Sequence, residues 1–350
     1  MLKQSNNEIV DFSDFPLYKN GELITNYYCQ REVKRLVKDI NKGLLRLVPN
    51  PCLCRNEHPE KDVIVAETDK YGIPVRSVIC SKCGLIRSEM IFDEQSNNLF
   101  YERYYRKLYD FHNSPHKYFV AQQKRGKSFI TTLKQTMDIS DINNVAEIGC
   151  GSGGILQVFK DEGKEVIGVD LDECFLKIGI DNGLNLKKGD FYKLIPDNSC
   201  DLVIVSHVLE HFKDPIAEIK RIIPKIKKNK YLILAVPGLY QINTGHFNPI
   251  GNYQNAHVIQ YFYKDWLSVF FNLCRLTVLY GDEECLFICK KNDDNINFNS
   301  VYDCSLGKYF YKNTEYLMRC KERWDYKLDQ HSKTYYRLRR VFALVKSYIS

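Results

Sequence analysis

The apolar positions of the chain change period several times, and the changes predict its elements. From Arg31 to Leu47 the residues Val33, Leu36, Val37, Ile40, Leu44 and Leu45 recur at helical spacing. Phe119 to Met137 reads as a second helix. Between residues 143 and 292, short apolar runs that suit strands alternate with amphipathic segments, which predicts a mostly parallel sheet covered on both faces. The strands fall at Asn144–Ile148, Lys164–Asp170, within Asn185–Phe191, at Cys200–Ser206 and at Lys230–Gly238, and the helices at Ile155–Phe159, Pro215–Lys228 and Tyr263–Cys274. In the tail, Leu317, Cys320, Trp324, Leu328, His331, Tyr335, Leu338, Phe342 and Val345 repeat every three or four residues, as in one long amphipathic helix.

Length narrows this to one sizeable core plus smaller additions: 350 residues. The expected divisions are residues 1–117, 118–292 and 293–350. No apolar run approaches the roughly 18 residues of a membrane span, and the N-terminal stretch lacks the apolar core of a secretory signal. Thirteen cysteines, an odd number, argue for a reducing compartment, so a cytoplasmic location is expected. The net charge of +7 is concentrated: from Lys308 onward there are 11 Lys/Arg and 4 Asp/Glu. The remainder is close to neutral, which disfavours nucleic acid as the partner of the whole protein. The basic tail helix is read as docking on the protein or on a second copy, with peripheral contact to an anionic membrane as the alternative.

Two stretches carry chemistry. Glu147-Ile-Gly149-Cys150-Gly151-Ser-Gly153 places three alternate glycines in a strand-to-helix turn. There the missing Cβ allows positive φ and lets a ligand lie against bare backbone near a helix N-terminus. The strand Lys164–Asp170 ends in an acid about 20 residues beyond the first glycine, where a carboxylate can take both ribose hydroxyls of an adenosine. The second stretch is Cys52-Leu-Cys54 and Cys80-Ser-Lys-Cys83-Gly84, two close pairs that can surround a tetrahedral zinc. The first pair is one residue shorter than usual, and Cys29 or His58 could replace a member.

The Glu147-x-Gly149-x-Gly151-x-Gly153 pattern differs from the dinucleotide fingerprint and resembles motif I of class I S-adenosylmethionine-dependent methyltransferases. The cysteine pairs and the aromatic-rich Phe100–Tyr109 resemble the zinc-binding lead-in of a bacterial group of these enzymes that methylates sugars and glycans, and the Ser206-His207-Val-Leu-Glu210-His211 stretch resembles the motif of many small-molecule methyltransferases. The resemblance implies an α/β fold: a seven-stranded Rossmann-like sheet with helices on both faces, closed by a hairpin at Arg275–Tyr280 and Glu284–Lys290. It adds a small N-terminal Cys-rich module and a C-terminal helical extension. It implies S-adenosylmethionine held by Glu147, Gly149, Cys150, Gly151, Gly153, Asp170, Leu171, Asp190, Phe191, Ser206 and His207. Asp190 would reach the adenine amino group and Phe191 would form an apolar wall. It further implies structural zinc on Cys52, Cys54, Cys80 and Cys83, and Tyr101–Tyr109 as a lid, unless that segment only buries an aromatic face.

The implied acceptor is a small molecule, most readily a sugar hydroxyl in a nucleotide-sugar or cell-surface glycan precursor. The Asn/Asp-Pro-Pro-Tyr/Phe ending used on amino groups of bases is missing after the fourth strand. In related sugar carbon-methyltransferases a Glu-His pair precedes an aromatic pair; this chain has Ala256-His257, so His257 keeps its place as base without its usual partner. His211 is the second choice. An RNA base methyltransferase, a sugar carbon-methyltransferase and a non-catalytic binding protein are the alternatives.

Overall fold

The computed structural model describes residues 18–19, 22–23, 27–66, 69, 73–108, 115–241, 259–274, 276–292 and 307–330. The chain divides into two compact units, one comprising Met1–Asp110, Tyr240–Tyr261 and Cys304–Ser350, the other Phe111–Leu239 and Phe262–Asp303. The second unit is therefore discontinuous, where the sequence led us to expect one run over 118–292.

The second unit holds the α/β sheet. Its strands are β1 (Asn144–Ile148), β2 (Glu165–Asp170), β3 (Leu186–Lys188), β4 (Cys200–Ser206), β5 (Ile226–Ala235), β6 (Leu276–Gly281) and β7 (Leu286–Lys291). They lie side by side in the order β3-β2-β1-β4-β5-β7-β6. The first five are parallel, while β7 runs antiparallel to both β5 and β6. The seven strands expected are all present in the expected roles. All seven residues of β4 are buried, as suits a central strand covered on both faces.

The helices of this unit are α1 (Pro115–Thr136), α2 (Gly154–Asp161), α3 (Glu173–Asp181), α4 (Phe191–Leu194), α5 (Pro215–Ile222) and α6 (Lys264–Leu273). Phe129, Ile130 and Leu133 of α1 and Ile155, Leu156 and Phe159 of α2 meet Val145, Leu202, Ile204 and Ile233 of the sheet in one core. Each fully buried side chain of this kind stabilises the fold by about 1.5–3 kcal/mol relative to exposure. One helix is shorter than its apolar period suggested. The chain leaves α5 at Ile222, passes through a 3-10 turn at Ile223–Lys225 and enters β5 at Ile226, not at Lys230. Pro224 sits in that turn, where its missing N–H ends the α-helical ladder.

The first unit is built from small elements. Helix Tyr27–Asn41 ends at a glycine turn, with Gly43 at φ +72°. Leu45 is buried beyond that turn and Leu44 is exposed, so the helical period stops earlier than the sequence suggests. Leu47–Pro49 pairs with Met90–Phe92. A four-stranded antiparallel sheet runs Gln260–Tyr261, Ile86–Ser88, Ser77–Ile79, Val63–Ala66. Helix Glu94–Phe100 widens into a π-helical turn at Tyr101–Tyr105 and continues through Arg106–Leu108.

In that segment Phe100, Tyr104 and Leu108 are buried with Leu36, Leu45, Ile73, Val75 and Phe92. One aromatic face is thus spent on the unit's own core, leaving Tyr101 and Tyr105 partly exposed. The C-terminal helix spans Gly307–Gln330, with Leu317 and Cys320 buried; the rest of the expected tail lies outside the described residues. Among the described residues no helix is long and apolar enough to cross a membrane.

Candidate functional site

β1 delivers the glycine turn to the carboxyl edge of the parallel strands. Gly149, Gly151 and Gly153 have φ of +65°, +53° and +78°, a region that costs other L-residues roughly 1–2 kcal/mol apiece. A Cβ on Gly151 would lie 2.9 Å from the Tyr118 ring. The amide of Gly149 donates to Val169 O at 2.8 Å, which ties the start of the turn to β2.

Asp170, the last residue of β2, holds the middle of the same turn. Its Oδ2 accepts from Gly151 N and its Oδ1 from Asp172 N, each at 2.8 Å. A carboxylate has about four acceptor positions, so these two contacts leave capacity for two hydroxyls. Leu171, next along, is 77% exposed and offers an apolar surface beside the carboxylate. Asp172 then caps α3 through Cys174 N and Phe175 N.

The turn has a third support that sequence reasoning missed. Gln122 of α1 is buried, donates from Nε2 to Cys150 O at 2.9 Å, and accepts at Oε1 from Ser152 Oγ at 2.7 Å and Gly154 N at 3.1 Å. One amide thereby satisfies a carbonyl, a hydroxyl and one of the orphan N–H groups at the start of α2. Nothing in a helical period marks one glutamine over its neighbours.

Glu147, expected beside the ligand, is buried within β1 and its Oε2 has no partner among the described residues. Burial pushes its carboxyl well above the usual range, against the pull of Arg125, and the Asp170 charge adds to the rise. Cys150 is buried, and burial raises its thiol too, so it contributes backbone and not a reactive sulfur. Asp190 caps α4, accepting from Tyr192 N at 2.9 Å. Phe191 is 3% exposed and packs edge-on against Tyr192, so its ring faces the fold and does not line an open wall.

At the end of β4, Ser206 Oγ is buried without a partner among the described residues. His207 follows with φ +55° and donates its amide to Ala235 O at 2.7 Å. The 3-10 turn Leu209–His211 then buries Glu210 between two imidazoles. Glu210 Oε1 lies 3.5 Å from His207 Nδ1 and 3.9 Å from His211 Nε2. Burial opposes the Glu210 charge, but His211 and the His207 contact outweigh it and hold the carboxyl below its ordinary range. The acid that orients these histidines was visible in the H-x-L-E-H stretch, but its shared position was not. His257 lies outside the described residues.

In the first unit, Cys52, Cys54, Cys80 and Cys83 are buried with all four sulfurs within 4.8 Å of one another. Sγ–Sγ separations are 3.5 Å for Cys52–Cys54 and Cys54–Cys80 and 3.6 Å for Cys52–Cys83. A tetrahedral ion with metal–sulfur bonds of about 2.3 Å requires sulfurs about 3.8 Å apart, so the short C-x-C spacing is no obstacle. The thiols cannot all ionise unaided: contacts from Cys52 and then Cys54 draw Cys80 down, while Cys52 pushes Cys54 and Cys83 up. A loop acid braces the arrangement, since Asp62 accepts from Ser81 N at 2.8 Å and pairs with the buried Arg87 at 2.8 Å.

The order of the strands places the glycine turn and the acid that ends the neighbouring strand together at the carboxyl edge of the sheet, the edge where open α/β sheets hold their ligands. Residues 101–272 match the model of a family described as a methyltransferase domain, just under half the chain. In that span the chain is similar to a methyltransferase domain.

No curated protein matches it by sequence. Among solved structures it is similar to an S-adenosylmethionine-dependent methyltransferase from Archaeoglobus fulgidus, at 27% identity and TM-score 0.32, over 37% of this chain and 59% of that one. Another is phosphoethanolamine N-methyltransferase 1 from Haemonchus contortus, in complex with phosphoethanolamine and S-adenosylhomocysteine, at 16% identity and TM-score 0.44, over 68% and 56%. A third is a complex of the Haloferax volcanii Trm112 methyltransferase activator with a methyltransferase, at 15% identity and TM-score 0.43, over 52% and 98%. The chain spans less than two thirds of the first three structures it matches.

Proposed function

We propose that the protein transfers the methyl group of S-adenosylmethionine to a small-molecule acceptor, a sugar hydroxyl in a nucleotide-sugar or cell-surface glycan precursor, and that its four clustered cysteines hold structural zinc. The observation that carries the first part is the pairing of Asp170 with the glycine turn. One carboxylate fixes the Gly151 amide and keeps two acceptor positions for a ribose, and Leu171 lies beside it for an adenine face. Asp170 and Asp190 make this edge acidic, which suits a ligand with a sulfonium and an ammonium and repels a pyrophosphate.

S-adenosylmethionine supplies a methyl group already activated by its positive leaving group. The chain's own task is to hold donor and acceptor in line, exclude water and take the hydroxyl proton. His257 and His211 are the bases we assign to that step. For His211, the buried Glu210 carboxylate beside Nε2 supports the assignment, because an ionised acid stabilises the imidazolium that proton removal creates. The small-molecule assignment is supported by the H-x-L-E-H ending after β4 in place of an Asn/Asp-Pro-Pro-Tyr/Phe ending. The zinc assignment is supported by the sulfur spacing; with four thiolates and no open position, the metal would hold the fold and take no part in chemistry.

Methyl transfer measured with labelled S-adenosylmethionine across nucleotide sugars, free sugars and RNA tests the reading. Transfer to a sugar is expected. Transfer to RNA and to no sugar refutes the acceptor assignment, and failure of calorimetry to detect S-adenosylhomocysteine binding refutes the cofactor assignment.

A further inference from the structure

We infer that the C-terminal helix is a latch whose closed position is set by the metal at the cysteine cluster; this rests on the zinc assignment above. The two features meet at one residue, Gly84, directly after the last cysteine. Gly84 has φ +73° and its N–H returns to Cys80 O at 2.8 Å, closing the turn between the two ligand cysteines. On its other side lies the start of helix Gly307–Gln330. A Cβ on Gly84 would fall 2.6 Å from Tyr309 C, 2.7 Å from Phe310 N and 2.8 Å from Tyr309 O. All three are backbone atoms, so the helix seats against bare glycine and no side-chain rotation would make room for a larger residue.

The carbonyl of Gly84 completes the joint. It accepts from Nδ2 of Asn313, a residue with no exposed surface, at 2.9 Å across 229 residues of sequence. Asn313 Oδ1 in turn accepts from the Tyr240 hydroxyl, and Tyr316 OH donates to Tyr240 O at 2.8 Å with the two rings edge to face at 4.8 Å. Leu317 and Cys320 are buried one and two turns further on. A single residue, Gly84, therefore belongs both to the metal turn, through its N–H, and to the helix seat, through its C=O.

The physical link follows from the ligand geometry. Four sulfurs held by one ion fix the Cys80–Gly84 turn; without the ion, the turn must be ordered by its own few hydrogen bonds, against backbone entropy. Loss of that order displaces the Gly84 carbonyl from Asn313 and opens the space that the Tyr309 backbone fills. Because the coupling is between two equilibria, it is reciprocal: weakening the helix seat must weaken metal retention by the same factor.

Hydrogen exchange read by mass spectrometry on the full chain tests this, with zinc content measured in the same samples. Removing zinc with a chelator is expected to accelerate exchange across residues 307–320 tenfold or more, while residues 144–161 of the glycine turn and α2 exchange as before. Two variants keep all four cysteines. Gly84→Ala is expected to bind about one zinc per chain and yet lose protection over 307–320. Asn313→Ala is expected to release zinc to a competing chelator about 3- to 10-fold more readily, the effect of one lost buried hydrogen bond. Zinc present, with helix protection indifferent to its removal and to both substitutions, overturns the latch alone. Zinc absent from protein purified without chelator, with 307–320 fully protected, overturns the metal assignment and the latch together.

Discussion

Asp170→Ala removes two things at once, and the structure assigns a size to each. Its carboxylate accepts one backbone N–H on each oxygen, from Gly151 and Asp172, both at 2.8 Å. Hydrogen bonds to a charged group contribute about 1.5–3 kcal/mol each. This carboxylate is only partly buried, which places both at the lower end, about 3 kcal/mol for the pair. In a domain of this size 1 kcal/mol shifts Tm by about 2–4 °C, so a fall of roughly 6–12 °C is expected.

Separately, losing the ribose contacts should weaken S-adenosylhomocysteine binding on the order of 10- to 100-fold. Thermal melting gives the first quantity and calorimetry the second. A mutant that melts lower and binds normally would reduce Asp170 to a clamp on the glycine turn. One that neither melts lower nor binds more weakly refutes both parts of the reasoning. Asp170→Asn sharpens the comparison: it keeps one acceptor oxygen but turns an amide donor toward the other N–H, so it should lose most of the stability as well.

Gln122→Ala leaves Cys150 O, Ser152 Oγ and Gly154 N without their buried partner, and should cost about 2–4 kcal/mol, read by denaturant melts. Unaltered stability would show that water or a rearranged turn replaces the amide. Glu147→Gln should stabilise the ligand-free protein, and increasingly so as pH rises. The folded carboxyl titrates well above its ordinary value, so the unfolded state alone ionises once pH passes about 4.5, and stability falls from there until the folded group ionises. Melts of both proteins from pH 4 to 8 check the sign; a gap that narrows with pH contradicts it. His257→Asn should keep fold and cofactor affinity and lower turnover by roughly 10²–10⁴, with His211→Asn run in parallel. If only His211→Asn fails, still binding cofactor, the base is His211; wild-type rates in both place the proton elsewhere.

The sequence by itself determined what depends on near neighbours. Val145, Ala146 and Ile148 form a buried strand, the three glycines adopt the positive φ their spacing announced, and Asp170 ends the next strand. These are properties of short stretches, where the periods of strand and helix and the freedom of glycine act directly. The alternation of strands and helices likewise fixed a parallel sheet, because few other layers bury both kinds of apolar face. The cysteine spacing announced a cluster of four sulfurs in the same way.

Only the tertiary structure decided which distant groups share an atom. Gln122 holds the turn from 28 residues upstream, and Asn313 reaches Gly84 across 229. Neither contact leaves a mark in its own segment, because a helix period says which face is buried and not what stands opposite. Phe191 was expected beside a ligand and is buried in the fold, and Glu210, visible in its motif, is buried between His207 and His211, a shared position that the motif does not give. In each case the outcome was set by which elements the chain topology brings together, and by the cost of leaving a polar group in that space without a partner.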